Sequence, residues 1–196
     1  MDAAQTISGL LGIGLASGLN LYAVVLTVGA AQHFGWLRGL PESLTMLGHP
    51  VVLVAAGIMF LAEFIADKVP GFTPIWDGIH TLIRPLGAAL IAFGAFGNLD
   101  PLPRTLAMLA AGTLAFGSHA TKMGTRLAAH AVPEPVTHSA ISVAEDVSVV
   151  GIVLLAFNYP WIAIPVLLGG LVGILLAIRF LWRTMRRFRG SYREAM

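Results

Sequence analysis

The sequence predicts an all-α fold: a polytopic membrane helix bundle of six transmembrane helices, organised as a 3+3 inverted repeat. Three observations lead there. Of 196 residues, 57% are hydrophobic and only 11% charged, whereas a soluble domain is nearer about a quarter charged. The mean hydropathy is +0.81; so little charge cannot cover a globular surface, but a lipid-facing surface needs none. Apolar runs of about 20 residues, the length that crosses a bilayer core, alternate with clusters of Gly and Pro.

The spans are expected near 7–32, 50–68, 75–97, 104–126, 138–158 and 160–182. Turn formers separate them: Gly39 and Pro41, Pro70 with Gly71 and Pro74, Pro101 and Pro103, Pro133 and Pro135, and Pro160. Residues 1–182 then form one transmembrane domain, with repeat halves at 7–97 and 104–182, and 183–196 form a basic tail. The start of the chain carries Asp2 and no Lys or Arg, unlike a secretory signal, so the first segment is expected to be retained. There is no cysteine, which excludes disulfides, thiolate metal sites and cysteine nucleophiles.

Orientation follows from the basic residues. Arg179, Arg183, Arg186, Arg187, Arg189 and Arg193 crowd the C-terminal end. They argue for a cytoplasmic C-terminus resting on anionic lipid headgroups rather than for nucleic-acid binding. Six spans put the N-terminus inside as well, in a bacterial inner membrane. Helix 2 then ends inside with Glu63, Asp67 and Lys68, and helix 3 starts inside with Asp77, His80 and Arg84. Helix 4 ends inside with His119, Lys122 and Arg126, and helix 5 starts inside with His138, Ser139, Ser142, Glu145 and Asp146. The polar chemistry therefore converges on the cytoplasmic half. Ionisable groups inside a bilayer are costly and mark sites or pathways.

The inverted repeat rests on short matches. Leu15-Ala16-Ser17-Gly18 corresponds to Leu114-Ala115-Phe116-Gly117, and Ala62-Glu63 to Ala144-Glu145. Halves of three helices each are inverted relative to one another, as in many secondary transporters. Small residues at four-residue spacing, Gly14/Gly18, Ala107/Ala111/Ala115 and Gly169/Gly173, suit close helix packing within the chain, with a homo-oligomer as the alternative.

Asp77, His80 and Arg84 fall at i, i+3 and i+7, on one helix face. Such a face suits either a hydrogen-bonded stack in which His80 relays protons or an ion-pair network tying helices together. Pro85, next to Arg84, removes a backbone hydrogen bond and disturbs the carbonyl of Thr81. Glu145 and Asp146 are adjacent, so they point about 100° apart. Asp146 shares a face with Ser139 and Ser142 and is the better pore candidate, which leaves Glu145 between helices or near headgroups. Carboxylates, a histidine and hydroxyls suit hard cations or protons, but Lys68, Arg84, Lys122 and Arg126 nearly balance the acids, against a dedicated divalent-metal cage. Lys122 and Arg126 either engage an anion or snorkel to headgroups. Asn20, in the middle of helix 1, needs a partner for its amide.

No metalloprotease helix, nucleophile elbow or P-loop is present, so the chain is not expected to be an enzyme or to carry a cofactor. The strings ADKVPGFTPIWDGIHTLIRPLGA and PEPVTHSAISVAEDVSVVGIVLLA resemble the bacterial integral membrane proteins of domain-of-unknown-function family 4126. The resemblance runs from about Gly9 to Pro160, leaving the tail beyond Arg179 outside. It implies a small membrane protein and brings no activity. The leading expectation is a secondary transporter or channel-like permease using Glu63, Asp67, Lys68, Asp77, His80, Arg84, Lys122, Glu145 and Asp146. A non-transporting scaffold or lipid-binding protein is the alternative, and an enzyme of lipid phosphates the third.

Overall fold

The computed structural model describes residues 2–37, 40–67, 72–129 and 135–194, with side chains undescribed at 127–129, 135–139, 181 and 184–194. Every regular element among the described residues is helical: α1 (Ala3–His33), α2 (Glu42–Gly48, a short 3-10 helix), α3 (Pro50–Ala66), α4 (Thr73–Ala95), α5 (Pro101–Ala129), α6 (Pro135–Asn158) and α7 (Pro160–Glu194). The 3-10 helix was not anticipated. It meets α3 at a 63° bend at His49, and the pair α2–α3 is apolar enough, taken together, for a broken span or a re-entrant loop. Four further helices, α1, α4, α6 and α7, are long and apolar enough to cross a membrane. Helix α5 has the length but not the apolarity, since its buried face carries His119, Lys122 and Arg126.

Local chemistry sets the ends. Asp2 caps α1 in a capping box: its side chain accepts from Gln5 N at 2.7 Å, and Gln5 accepts from Asp2 N at 3.2 Å. The other end closes in a Schellman motif, with Trp36 N donating to Ala31 O and Gly35 N to Gln32 O. That motif needs a left-handed residue, and Gly35 supplies it at φ +67°. Pro50, Pro101, Pro135 and Pro160 each stand first in a helix, where the missing N–H costs nothing. Helix α7 continues without a break past the expected span end to Glu194; 35 residues extend about 52 Å, well beyond a hydrocarbon core of about 30 Å.

The side-chain pattern is that of a soluble helix turned outside in. On α3, Val51, Val54, Ile58, Leu61 and Ile65 face outward, while Ala56, Glu63 and Ala66 are buried. On α4, Ile75, Ile79, Leu82, Leu86 and Leu90 face outward, while Asp77, His80, Arg84 and Ala88 are buried. Apolar side chains at helical spacing on the outer face, with charges within, are what a lipid environment selects.

Helix α1 is the centre. It is buried along most of its length and touches every other helix. Its close approach to α5 requires glycine. A Cβ added at Gly18 would lie 2.3 Å from Ala115 O and 2.5 Å from Ser118 Cβ, and one at Gly14 would lie 2.7 Å from Leu114 Cβ. Ala107, Ala111 and Ala115 form the facing stripe on α5. Ser118 Oγ donates to Leu15 O at 2.9 Å, and Ser8 Oγ to Ala156 O at 2.7 Å; such interhelical bonds average about 0.6 kcal/mol in membranes. Gly169 and Gly173 differ from the expectation of intramolecular packing: an added Cβ at either meets nothing within 4 Å. They lie on a face of α7 that no other helix covers among the described residues.

Candidate functional site

The centre of α1 is broken. Asn20 adopts φ −155°, ψ 102°, an extended conformation between two helical halves. Its side chain explains the break. Asn20 Oδ1 accepts from Ala23 N at 3.0 Å, capping the second half as an N-cap residue does. Its Nδ2 donates to Asp146 Oδ1 at 2.9 Å. The backbone ladder is interrupted here, and the neighbouring carbonyls turn to buried cations: Gly18 O accepts from Arg84 Nη1 at 2.9 Å, and Leu19 O from Lys122 Nζ at 2.7 Å.

These cations belong to a network that joins five helices. Glu63, fully buried, places Oε1 2.7 Å from Arg84 Nη2 and 3.2 Å from Lys122 Nζ. Glu145 Oε2 lies 3.2 Å from Lys122 Nζ and 3.1 Å from Arg126 Nη2. Arg126 grips Asp67 in a two-pronged pair at 2.6 and 2.5 Å and reaches Asp77 Oδ2 at 3.6 Å. The planar guanidinium fork matches a carboxylate in this way, where an ammonium cannot. Ser142 Oγ also donates to Asp67 Oδ2, at 3.1 Å. Arg84, Glu63 and Lys122 have fully buried side chains, while Arg126 and Glu145 are 9% and 13% exposed. The charges therefore rise in steps along α5 from a dry interior toward a partly open end.

Two buried histidines are each fixed by two partners. Arg84 Nη1 lies 2.6 Å from His119 Nδ1; a guanidinium only donates, so Nδ1 accepts and the proton sits on Nε2. His119 Nε2 then donates to Asp77 O at 3.1 Å. His80 Nδ1 faces Trp76 O at 2.8 Å and so carries a proton, and its Nε2 shares a hydrogen bond with Tyr22 Oη at 2.9 Å.

Asp77, His80 and Arg84 do share one buried face, but they form no hydrogen-bonded stack. Each turns to a different helix: Asp77 to Arg126, His80 to Tyr22, Arg84 to Glu63. Successive rungs on a helix are about 5–6 Å apart, farther than the partners on the neighbouring helices. The two adjacent acids take different partners. Glu145 enters the ion-pair network, whereas Asp146, among the described residues, is in no ion pair and is held by the Asn20 amide. Lys122 does not snorkel; it is buried. Lys68 lies outside the described residues, as do the side chains of His138, Ser139 and the arginines from Arg186 onward.

Sequence reasoning missed Tyr22 as the partner of His80 and the break at Asn20. A hint was present: an Asn two residues after a Gly in a uniformly apolar helix is a cap former in a place where no helix should start. At the opposite end of the bundle, Leu40, Pro41, Glu42, Ser43, Gly97, Asn98 and Arg104 line a cavity of about 660 Å³. No member of the network contributes to it.

The fold and site thus define a helical membrane protein with a buried, charge-paired centre around a discontinuous helix. The chain belongs to the family described as Domain of unknown function (DUF4126), which matches residues 7–183. The match extends past Pro160 and takes in most of α7. No curated protein and no solved structure matches the chain.

Proposed function

We propose that the chain is a small secondary transporter or channel-like permease of a bacterial inner membrane, linked to protons or cations. It has six spans, counting α2–α3 as one and α5 as another, with both termini cytoplasmic. The observation that carries this reading is the break at Asn20, at the middle of the most enclosed helix and beside Asp146. Discontinuous helices whose freed carbonyls meet ionisable groups are the usual construction of transporter binding sites. Unpartnered buried polar atoms surround the break: Ser17 Oγ, Glu63 Oε2, Asp77 Oδ1 and Arg84 Nε. Such atoms suit a site that exchanges water or ligand. Among the described members of the network, five acids, Glu63, Asp67, Asp77, Glu145 and Asp146, stand against three cations, Arg84, Lys122 and Arg126. The acids in excess, Asp146 and Asp77, carry the exchangeable proton or cation; Asp67 and His80, firmly held, position the rest. The inverted repeat is supported by Glu63 and Glu145, which occupy matching positions in the two halves and both approach Lys122.

Reconstituted vesicles test this. With a pH-sensitive dye inside and an imposed K⁺ or NH₄⁺ gradient, wild-type protein is expected to move protons or cations faster than empty vesicles, and Asp146→Asn to abolish that flux while staying monodisperse. Flux unchanged in Asp146→Asn overturns the reading. A second reading, a non-transporting scaffold, is favoured by one observation: Glu63, Arg84 and Lys122 are dry and mutually paired, as structural ion pairs are. On that reading vesicle flux equals background, and truncation after Phe180 removes the working surface.

A further inference from the structure

The ligand class of this site can be taken further from the surroundings of one ammonium; the inference rests on the transport reading for its purpose but not for its geometry. Lys122 Nζ sits in a cage of oxygens: Leu19 O at 2.7 Å, Glu63 Oε1 and Glu145 Oε2 at 3.2 Å each, and Asp67 Oδ2 at 3.8 Å. The carbonyl is available because α1 breaks at Asn20. Glu63, fully buried, directs one oxygen at Nζ while its other oxygen has no partner. An unwound backbone carbonyl combined with carboxylates around a desolvated cation is the chemistry by which broken helices hold coupling ions.

We propose that this cage is a monovalent-cation site whose resident occupant is the Lys122 ammonium, and that a small free cation such as NH₄⁺, K⁺ or Na⁺ enters by displacing it. Exchange of one positive charge for another leaves the cage's own charge unchanged, and the network's five acids, Glu63, Asp67, Asp77, Glu145 and Asp146, outnumber its cations Arg84, Lys122 and Arg126, so one more cation is accommodated. A divalent ion would add a charge to the cage. Among the described residues no group of three or more acidic or histidine side chains is arranged to hold a metal ion by itself, so the cage depends on the Leu19 carbonyl as its nearest oxygen. The displaced ammonium swings out of the cage toward the partly exposed end of the network, where the Glu145 side chain is 13% exposed.

The test is Lys122→Ala, purified in detergent and melted in NH₄Cl, KCl or NaCl against N-methyl-D-glucamine chloride at matched ionic strength. At least one small cation is expected to raise the melting midpoint saturably, by roughly 4 °C or more at about twentyfold its Kd, and wild type is expected to need at least tenfold more of it. Adding Glu145→Gln should weaken the effect. Identical midpoints in all four salts overturn the proposal. If Lys122→Ala does not fold, wild type answers instead. The chain has two lysines, Lys68 and Lys122, so acetylation with acetic anhydride can be mapped by mass without ambiguity. Lys122 acetylation, taken relative to Lys68, is expected to rise at least threefold in KCl over tetramethylammonium chloride; an equal ratio overturns it. Cation-dependent melting without vesicle flux keeps the site and removes the transport reading. Flux without any cation dependence at Lys122 does the reverse.

Discussion

Replacing Glu63 by Gln removes one charge from the driest part of the network while keeping its shape. Glu63 is the only carboxylate within 4.0 Å of Arg84 among the described residues, at 2.7 Å. Without it, Arg84 keeps Gly18 O and His119 Nδ1, neither of which is an anion. Lys122 fares better, because Glu145 remains at 3.2 Å. The cost is therefore that of one uncompensated buried guanidinium, about 3–5 kcal/mol. For a chain of this size each kcal/mol moves the melting midpoint by about 2–4 °C, so Glu63→Gln is expected to melt roughly 6–20 °C below wild type, read by tryptophan fluorescence in detergent. Glu145→Gln is the matched control. Its side chain is 13% exposed, and both its cations keep another acid, so about 1–2 kcal/mol is expected. A double variant, Glu63→Gln with Arg84→Met, removes both charges and is expected to recover at least about 1.5 kcal/mol relative to additivity. A Glu63→Gln midpoint within about 3 °C of wild type, or strict additivity in the double variant, would refute the reasoning.

Other substitutions follow from the same geometry. Gly18→Ala drives a Cβ into Ala115 O, a backbone atom 2.3 Å away, and should cost about 2–4 kcal/mol; Gly169→Ala and Gly173→Ala meet open space and should be neutral or stabilise by up to about 1 kcal/mol through helix propensity, as melting midpoints will report. Asn20→Ala loses both the cap on Ala23 N and the bond to Asp146; it should destabilise by about 1–2 kcal/mol and reduce vesicle flux. Arg126→Lys cannot reproduce the two-pronged grip on Asp67 and should cost about 2 kcal/mol in the same melting assay, with Glu145→Gln adding little on top.

Much of the architecture was legible because lipid imposes a simple pattern. Long apolar runs bounded by Pro and Gly mark helices whose bounds lie within a few residues of those observed, except that α7 runs on to Glu194. The 3-10 helix Glu42–Gly48 was not foreseen, since seven residues show no helical period. The break at Asn20 was hidden inside a helix that reads as uniformly apolar. Pairing was the least accessible part. Spacing shows that Asp77, His80 and Arg84 share a face, but the choice of partner depends on how far each neighbouring helix is rotated. That rotation delivers Arg126, Tyr22 and Glu63 to those three side chains. The same rotation decides that Glu145 joins the ion pairs and Asp146 the amide.

The account stands on the break in α1 being a water-accessible site rather than a dry joint. The chain contains no cysteine, so a single introduced thiol reports cleanly. Ser17 is fully buried, its Oγ has no partner, and it lies three residues before Asn20; cysteine replaces it almost isosterically. Membrane vesicles carrying Ser17→Cys are treated with a small, membrane-impermeant thiol reagent, with Ser43→Cys, on the exposed 3-10 helix, as the reactive standard. Labelling of Ser17→Cys within about tenfold of the Ser43→Cys rate, slowed by K⁺ or NH₄⁺, is the predicted result. An inert thiol at position 17 beside a fully labelled one at position 43 would contradict it.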